Sequence, residues 1–422
     1  MIKSIKLATA LSRAALLMAA LVCLAATLYF AKWCLADAVA SQAPDKNIAA
    51  LMVDLAPRDP QTHYALAVLT EETFLPEDLP KSLAEFEQAT ALSPNDFRLW
   101  LAFGKARERN GDAAGAELAL RKTLEFAPHY ADVQWTLGNV LLRRGKREEA
   151  FDKIRQAAEN DNNYRVPAIA AAWQIYDGNL DSIKQNLGDS ASVNAALAIF
   201  VVEQKRYDEA VEIWNSLPAE AKKHALKADG EALFNKLMAA KKFRAALQIQ
   251  TSFEELANEE KPAIGAIFNG GFERDLKREK AGAFEWQIAD GTQPQIGYDD
   301  AQKVGGSRSL VIVFNSSDGK DFRRVSQIVA VEPAKKYVLE LFYKAELKTS
   351  ATLRWEIADE ADGKILAATN PISGVADWTQ LKTEFTTAAD TEAVVVRLVR
   401  ENCKSIICPI TGKVWFDNFS IN

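Results

Sequence analysis

The chain has 422 residues, 48% of them hydrophobic and 26% charged, the profile of a folded protein with about two to four domains. Against 51 Lys and Arg stand 57 Asp and Glu, giving a net charge of −6, which argues against nucleic-acid binding, since phosphates require a basic footprint. Three histidines and four cysteines are too few for a histidine-rich metal centre or a disulfide-stapled scaffold, so composition points to recognition more than to chemistry.

The chain opens with a membrane signal over residues 1–40. Lys3, Lys6 and Arg13 precede residues 14–31, a run without charge that is rich in Leu and Ala. About 20 apolar residues cross a bilayer as a helix. Positive charge ahead of the run predicts an N-terminus in the cytoplasm and the bulk of the chain outside it. A cleavable signal peptide is the alternative, because Ala38-Val39-Ala40 has the small-x-small form of a cleavage site and would release a secreted protein. Against cleavage, the apolar run exceeds the usual length of about 7–15 residues. Cys23 and Cys34 follow Leu21-Val22 and Lys32-Trp33, which fit no lipoprotein pattern.

Residues 41–260 repeat with a period of thirty-four. Pro60, Pro94, Pro128 and Asn162 keep this spacing, as do Leu69, Phe103 and Leu137, and Phe86, Leu120 and Ile154. Gly104 pairs with Gly138, and Gly111 with Gly145. Each unit reads as two amphipathic helices with a turn at the second glycine and a stop at the proline. Gly104 and Gly138 fall where the helices of a unit cross closely.

Residues 97–130 contain Trp100, Phe103-Gly104, Gly111, Ala116 and Pro128, and residues 131–164 contain Leu137-Gly138-Asn139, Gly145, Glu149-Ala150 and Ala157. These residues resemble tetratricopeptide repeats. Residues 63–96 keep the spacing around Pro76 and Pro80, residues 45–62 look like the second helix of a half-repeat, 192–217 return to the pattern, and 227–256 are a weaker copy. Residues 165–190 leave the period. The resemblance implies an α-solenoid whose first helices line a groove for a protein partner. Arg98, Lys105, Trp135, Asn139 and Arg143 are its candidate residues, with Lys105, Asn139 and Arg143 open to acidic groups and Trp135 an aromatic anchor. The alternative is an ordinary solvated face.

Over residues 261–422 the helical period gives way to strand-like runs at 309–314, 324–331, 337–345, 352–357, 379–386, 394–400 and 414–421, separated by Gly-containing turns. Strict alternation at 337–343 and 353–357 predicts strands with one buried face, and so many short strands predict an antiparallel sandwich. The ends of this region, Phe268-Asn269-Gly270-Gly271-Phe272-Glu273 and Trp415-Phe416-Asp417-Asn418-Phe419, resemble the carbohydrate-binding jelly rolls of the galactose-binding-like fold. That resemblance implies a structural Ca²⁺ at Glu273 and Asp417, the other reading being that both bond backbone where the strands meet. Glycan binding would fall to a polar row of Glu340, Arg354, Glu356 and Arg397 with Phe342 beside it, unless these form a solvated ladder of ion pairs. Trp286, Trp355 and Trp378 read as core, and Cys403 and Cys408 as a short-loop disulfide in an oxidising compartment.

No phosphate loop, paired-histidine zinc motif or nucleophile elbow appears, and no cofactor is expected beyond the calcium. The sequence thus describes a multidomain α and β chain: transmembrane helix, tetratricopeptide-type α-solenoid and C-terminal antiparallel β-sandwich. The resemblances imply a non-catalytic adaptor of the bacterial inner membrane, mostly periplasmic, serving surface polysaccharide assembly or export. A scaffold whose sandwich binds no sugar is the alternative, and an accessory subunit of a glycan-processing enzyme a further one.

Overall fold

The computed structural model describes residues 10–254, 261–277, 281–316, 322–349, 351–401 and 408–422. Contacts divide the chain into two compact units, Met1–Val193 and Asn194–Asn422.

The first unit begins with α1 (Ala10–Ala40), long and apolar enough to cross a membrane. After α2 (Lys46–Leu55) come helix pairs: α3 (Pro60–Glu71) with α4 (Leu79–Leu92), α5 (Phe97–Arg109) with α6 (Ala113–Phe126), and α7 (Ala131–Arg143) with α8 (Arg147–Asn160). Helices α2, α3, α5 and α6 each start on an aspartate, Asp45, Asp59, Asp96 and Asp112, whose carboxylate accepts a backbone N–H two or three residues on. Pro60 and Pro80 sit in first turns, where no intrahelical N–H is needed, so Pro80 starts a helix instead of breaking one. The close crossings are as expected: a Cβ on Gly104 would stand 2.8 Å from Leu120 Cγ, and one on Gly138 2.7 Å from Ile154 Cγ1. Beyond them α9 (Arg165–Ile175) and α10 (Leu180–Leu187) are short, which is why this segment leaves the period.

One buried acid ties two of these pairs together. Glu117 on α6 is 5% exposed and accepts hydrogen bonds from Arg121 (2.7 Å) and Lys146 (2.8 Å), with Arg144 also bonded to it. Burial alone would raise its pKa, but the hydrogen bonds of Lys146 and Arg121 and the nearby guanidinium charges hold it at about 2. A depressed carboxyl stabilises the fold fully above its ordinary value near 4.5 and loses that contribution as pH falls toward 2. Glu117→Gln should therefore cost about 2–3 kcal/mol at neutral pH, because Arg144 and Lys146 lose their carboxylate and Arg121 is left with Glu149 alone. In an acid titration followed by circular dichroism, the gap between wild type and variant should close by pH ~2. A gap that persists there contradicts this role.

Helix α11 (Ala191–Glu203) leads into the second unit, which holds α12 (Tyr207–Asn215), α13 (Ala219–Lys223), α14 (Lys227–Ala239) and α15 (Phe243–Phe253). Trp214 is fully buried among them and donates Nε1–H to Ser252 Oγ at 2.8 Å. Strands follow: β1 (Gln287–Ile288), β2 (Gln295–Asp299), β3 (Ser309–Ser316), β4 (Val325–Ala330), β5 (Lys336–Thr349), β6 (Thr352–Asp359), β7 (Ile365–Ala368), β8 (Val375–Thr386), β9 (Ala393–Glu401) and β10 (Ile410–Ile421). They form two five-stranded antiparallel sheets, a first in the order β1-β4-β9-β6-β7 and a second in the order β2-β3-β10-β5-β8. Leu353, Trp355 and Ile357 of the first sheet meet Leu339, Leu341 and Tyr343 of the second in one apolar core.

The architecture is the one the sequence indicates. Strands β1, β2 and β7 were not expected: they are short, and Gly297 interrupts the alternation of β2. Trp286 and Trp355 are core residues, at 1% and 0% exposure, but Trp378 is not. It lies half-buried on edge strand β8, where the β5–β8 register shifts between Tyr343 and Ala345.

Candidate functional site

Two regions carry the candidate residues, one in each unit. On the repeats, Arg98 and Lys105 project from α5, and Trp135, Asn139 and Arg143 from α7. Spacings of three, four and seven place Asp132, Trp135, Asn139 and Arg143 along one stripe of α7. Their cations are already engaged. Lys105 Nζ donates to Asp132 Oδ2 (2.7 Å), Arg143 pairs with Glu108, and Arg98 donates to Asp96 at 2.8 and 3.0 Å. Asn139 Nδ2 donates to the Trp135 carbonyl at 3.0 Å. The face thus presents neutralised pairs rather than free cations awaiting acidic groups. Trp135 is half-buried and stacks obliquely on Tyr164, ring centroids 5.5 Å apart, leaving an aromatic pair on an otherwise polar face. Tyr164, from a turn after α8, was not anticipated; its position thirty-four residues after Tyr130 was the available signal.

In the sandwich, the two end motifs meet. Phe419 N–H donates to the Gly270 carbonyl at 3.0 Å, and a Cβ on Gly270 would lie 2.0 Å from the Phe419 carbonyl oxygen, so the approach needs glycine. Phe272 packs edge-on to Phe419, with centroids 5.7 Å apart. Asp417, fully buried, accepts from Val304 N (2.8 Å) and Gly305 N (3.1 Å) through Oδ2 and from Asn418 N (2.8 Å) through Oδ1. Glu273 Oε1 accepts from Ser307 N (2.9 Å), and its Oε2 from the Ser307 hydroxyl. Together the two acids hold the 304–308 loop. The Ser307 hydroxyl lowers the Glu273 pKa, with Ser307 and Arg308 backbone N–H groups adding to it.

As a calcium pair these residues offer hard carboxylate oxygens, of which Glu273 Oε2 and Asp417 Oδ1 each accept one hydrogen bond from the described residues. That leaves two suitable lone pairs. Among the described residues no third His, Cys, Asp or Glu joins them, so further ligands would have to be neutral oxygens. Cys408 is buried, while Cys403 lies outside the described residues.

The five glycan candidates do not form one row. Arg354 and Glu356 lie on β6 and Arg397 on β9, on the outer face of the first sheet; Glu340 and Phe342 lie on β5, on the outer face of the second. Alternation gives a side chain's face but not its sheet, and β5 and β6, though consecutive, pair with different strands.

The two faces differ in burial. On the first sheet Glu356, 6% exposed, sits in register with Arg397, which donates Nε and Nη2 to its Oε2 at 3.3 and 3.1 Å. Arg354 Nη2 reaches Glu356 Oε1 at 3.3 Å and Glu401 Oε1 at 2.6 Å, while Arg354 Nε is buried with no hydrogen-bond partner among the described residues. Beyond this cluster burial raises the Glu360 pKa, against the charge of Arg397. Glu401 was missed because it lies at the far end of β9 and meets Arg354 only through the pairing of β9 with β6.

On the second sheet Glu340 pairs with Lys382 (2.6 Å) and Lys344 with Asp377 (3.1 Å), pairs with one well-exposed partner each and the character of a solvated ladder. Its outward Trp415 is 3% exposed and donates Nε1–H to Asp299 Oδ2 at 2.8 Å, so it offers no open aromatic face.

A chain of repeated helix pairs followed by a two-sheet antiparallel sandwich belongs to the multidomain α and β class. Residues 265–403 match the model of a family described as a carbohydrate binding domain. A solved structure reported as "CBM4 structure and function" is 19% identical, covering 37% of this chain and 98% of its own, with a TM-score of 0.29. On the helical side, the crystal structure of MamA is 14% identical over 47% of this chain and 89% of its own, TM-score 0.28. YrrB, described as a tetratricopeptide-repeat protein with an unusual peptide-binding site, is 14% identical over 48% of this chain and 89% of its own, TM-score 0.26. Among curated proteins none matches the sequence.

Proposed function

We propose that this protein is a non-catalytic adaptor held in the bacterial inner membrane by α1, N-terminus in the cytoplasm and the rest periplasmic, which binds a glycan through its sandwich and a protein through its repeats. The match of residues 265–403 to a carbohydrate binding domain carries the reading. The Arg354–Glu356–Arg397 cluster is the glycan-contacting site, because partly desolvated donors and acceptors side by side suit the paired hydroxyls of a sugar ring. Assembly or export of a surface polysaccharide is the setting that unites the two activities. A Cys403–Cys408 disulfide closes the loop ahead of β10, and Ca²⁺ between Glu273 and Asp417 supports the join of the end strands.

Two experiments address the two halves. The full chain in nanodiscs, applied to an array of bacterial envelope glycans, should bind at least one polysaccharide; binding to none overturns the glycan half. For the repeats, Trp135→Ala should reduce capture of the periplasmic protein partner by roughly tenfold, the cost of losing one aromatic anchor. Unchanged capture would place that partner elsewhere.

A further inference from the structure

The membrane helix does more than tether. Helix α1 runs 31 residues without a break, about 46 Å at 1.5 Å per residue, while a bilayer's hydrocarbon layer takes up about 30 Å. About ten residues of helix therefore continue past the apolar run that ends at Ala31. Those residues are packed: Ala36 and Ala40 are 0% and 2% exposed and share a cluster with Met52, Ala56 and Ala65.

Their register is that of the repeats. In the regular units a small residue on the first helix faces a large one sixteen positions later on the second: Gly104 faces Leu120, and Gly138 faces Ile154. Stepping back by thirty-four from Gly104 and Leu120 gives Thr70 and Phe86, both buried, and a second step gives Ala36 and Met52, both buried. The same step takes α4 onto α2 and α3 onto the end of α1. Residues 45–62 thus have the first helix that the sequence reading left missing.

We infer that the last three turns of α1 are the first helix of the first repeat, so that the transmembrane helix is retained after export and mounts the repeats on the membrane without a flexible linker. This rests on the proposed anchoring. In the folded chain Ala38-Val39-Ala40 is helical, with Val39 and Ala40 packed, closed to a peptidase, which needs exposed, extendable chain. Ser41 N–H donates to the Asp37 carbonyl at 3.0 Å, continuing the helical pattern across the Ala40–Ser41 bond, and Ala40 is buried. Removal of residues 1–40 would strip Met52 and Ala56 of their cover.

Ala36→Glu and Ala38→Glu separate a structural from a tethering role, because Ala38 is exposed on the same helix and acidic residues have little influence on insertion. Each full-length variant is purified from membranes; the mass of its N-terminal peptide and the hydrogen exchange of residues 46–55 in nanodiscs are measured. An uncleaved N-terminus is expected in both. Exchange of α2 should be faster by about tenfold or more in Ala36→Glu alone, with Ala38→Glu like wild type. Membrane-bound, uncleaved protein whose α2 exchange is insensitive to Ala36→Glu would overturn the inference and leave the anchor standing. A wild-type chain beginning at Ser41 and free of the membrane would overturn both.

Discussion

Trp355→Ala should lower the stability of the sandwich by about 3–5 kcal/mol, the largest effect of any single replacement considered for this chain. The side chain is fully buried, and its ring meets three others edge-on: Trp286, Phe416 and Phe419, at centroid distances of 5.8, 5.3 and 4.8 Å. Truncation opens a cavity at the point where both sheets and both end motifs converge, and neighbours this large cannot collapse to fill it. Trp355→Phe should behave quite differently. Among the described residues the buried indole N–H has no hydrogen-bond partner, so removing it offsets part of the lost volume and the net cost should stay under about 1.5 kcal/mol. Hydrogen exchange of β6 and β9 amides in the full chain measures both. Equal, large losses for Ala and Phe would contradict an unpaired indole N–H.

Asp417→Ala is the second large effect, at about 2–3 kcal/mol. It strands three backbone N–H groups, those of Val304, Gly305 and Asn418, each worth about 1–3 kcal/mol when buried and unpaired. Val304 is 40% exposed, so water re-solvates part of the loop and keeps the sum toward the lower end. Asp417→Asn retains one acceptor oxygen and should recover about half of the loss. Thermal unfolding of the sandwich checks this, and the same experiment reads the proposed calcium. EDTA should lower the wild-type midpoint and leave that of Asp417→Ala unmoved. No response in wild type contradicts the calcium assignment while leaving the loop-holding role of Asp417 untouched.

The repeats were legible because each helix pair imposes the same steric demand every thirty-four residues. Gly104 and Gly138 are glycines because Leu120 and Ile154 leave no room for a Cβ. The strands were legible where one face is buried, as at 337–343, and the end motifs because Gly270 must admit the Phe419 carbonyl. What failed is information that pairing supplies. Glu340 and Arg354 are fourteen residues apart with like alternation, yet β5 pairs with β8 and β10 while β6 pairs with β7 and β9. Nothing local distinguishes those outcomes. Trp378 was misplaced for a related reason, a register shift on an edge strand. The role of Ala36 was hidden differently: it follows closely on the apolar run 14–31, so it was read with the membrane signal over residues 1–40 rather than with the repeats.

Glycan binding at the first sheet is the central claim, and a comparison of three proteins tests it most directly. Wild type, Arg397→Ala and Phe342→Ala, each full-length in nanodiscs, are titrated with the array's best glycan by calorimetry. Loss of a charge-assisted pair of hydrogen bonds should weaken Arg397→Ala by about tenfold or more, while Phe342→Ala, on the outer face of the other sheet, binds as wild type does. Loss confined to Phe342→Ala, or wild-type affinity in Arg397→Ala, would contradict the assignment of the site to the Arg354–Glu356–Arg397 face.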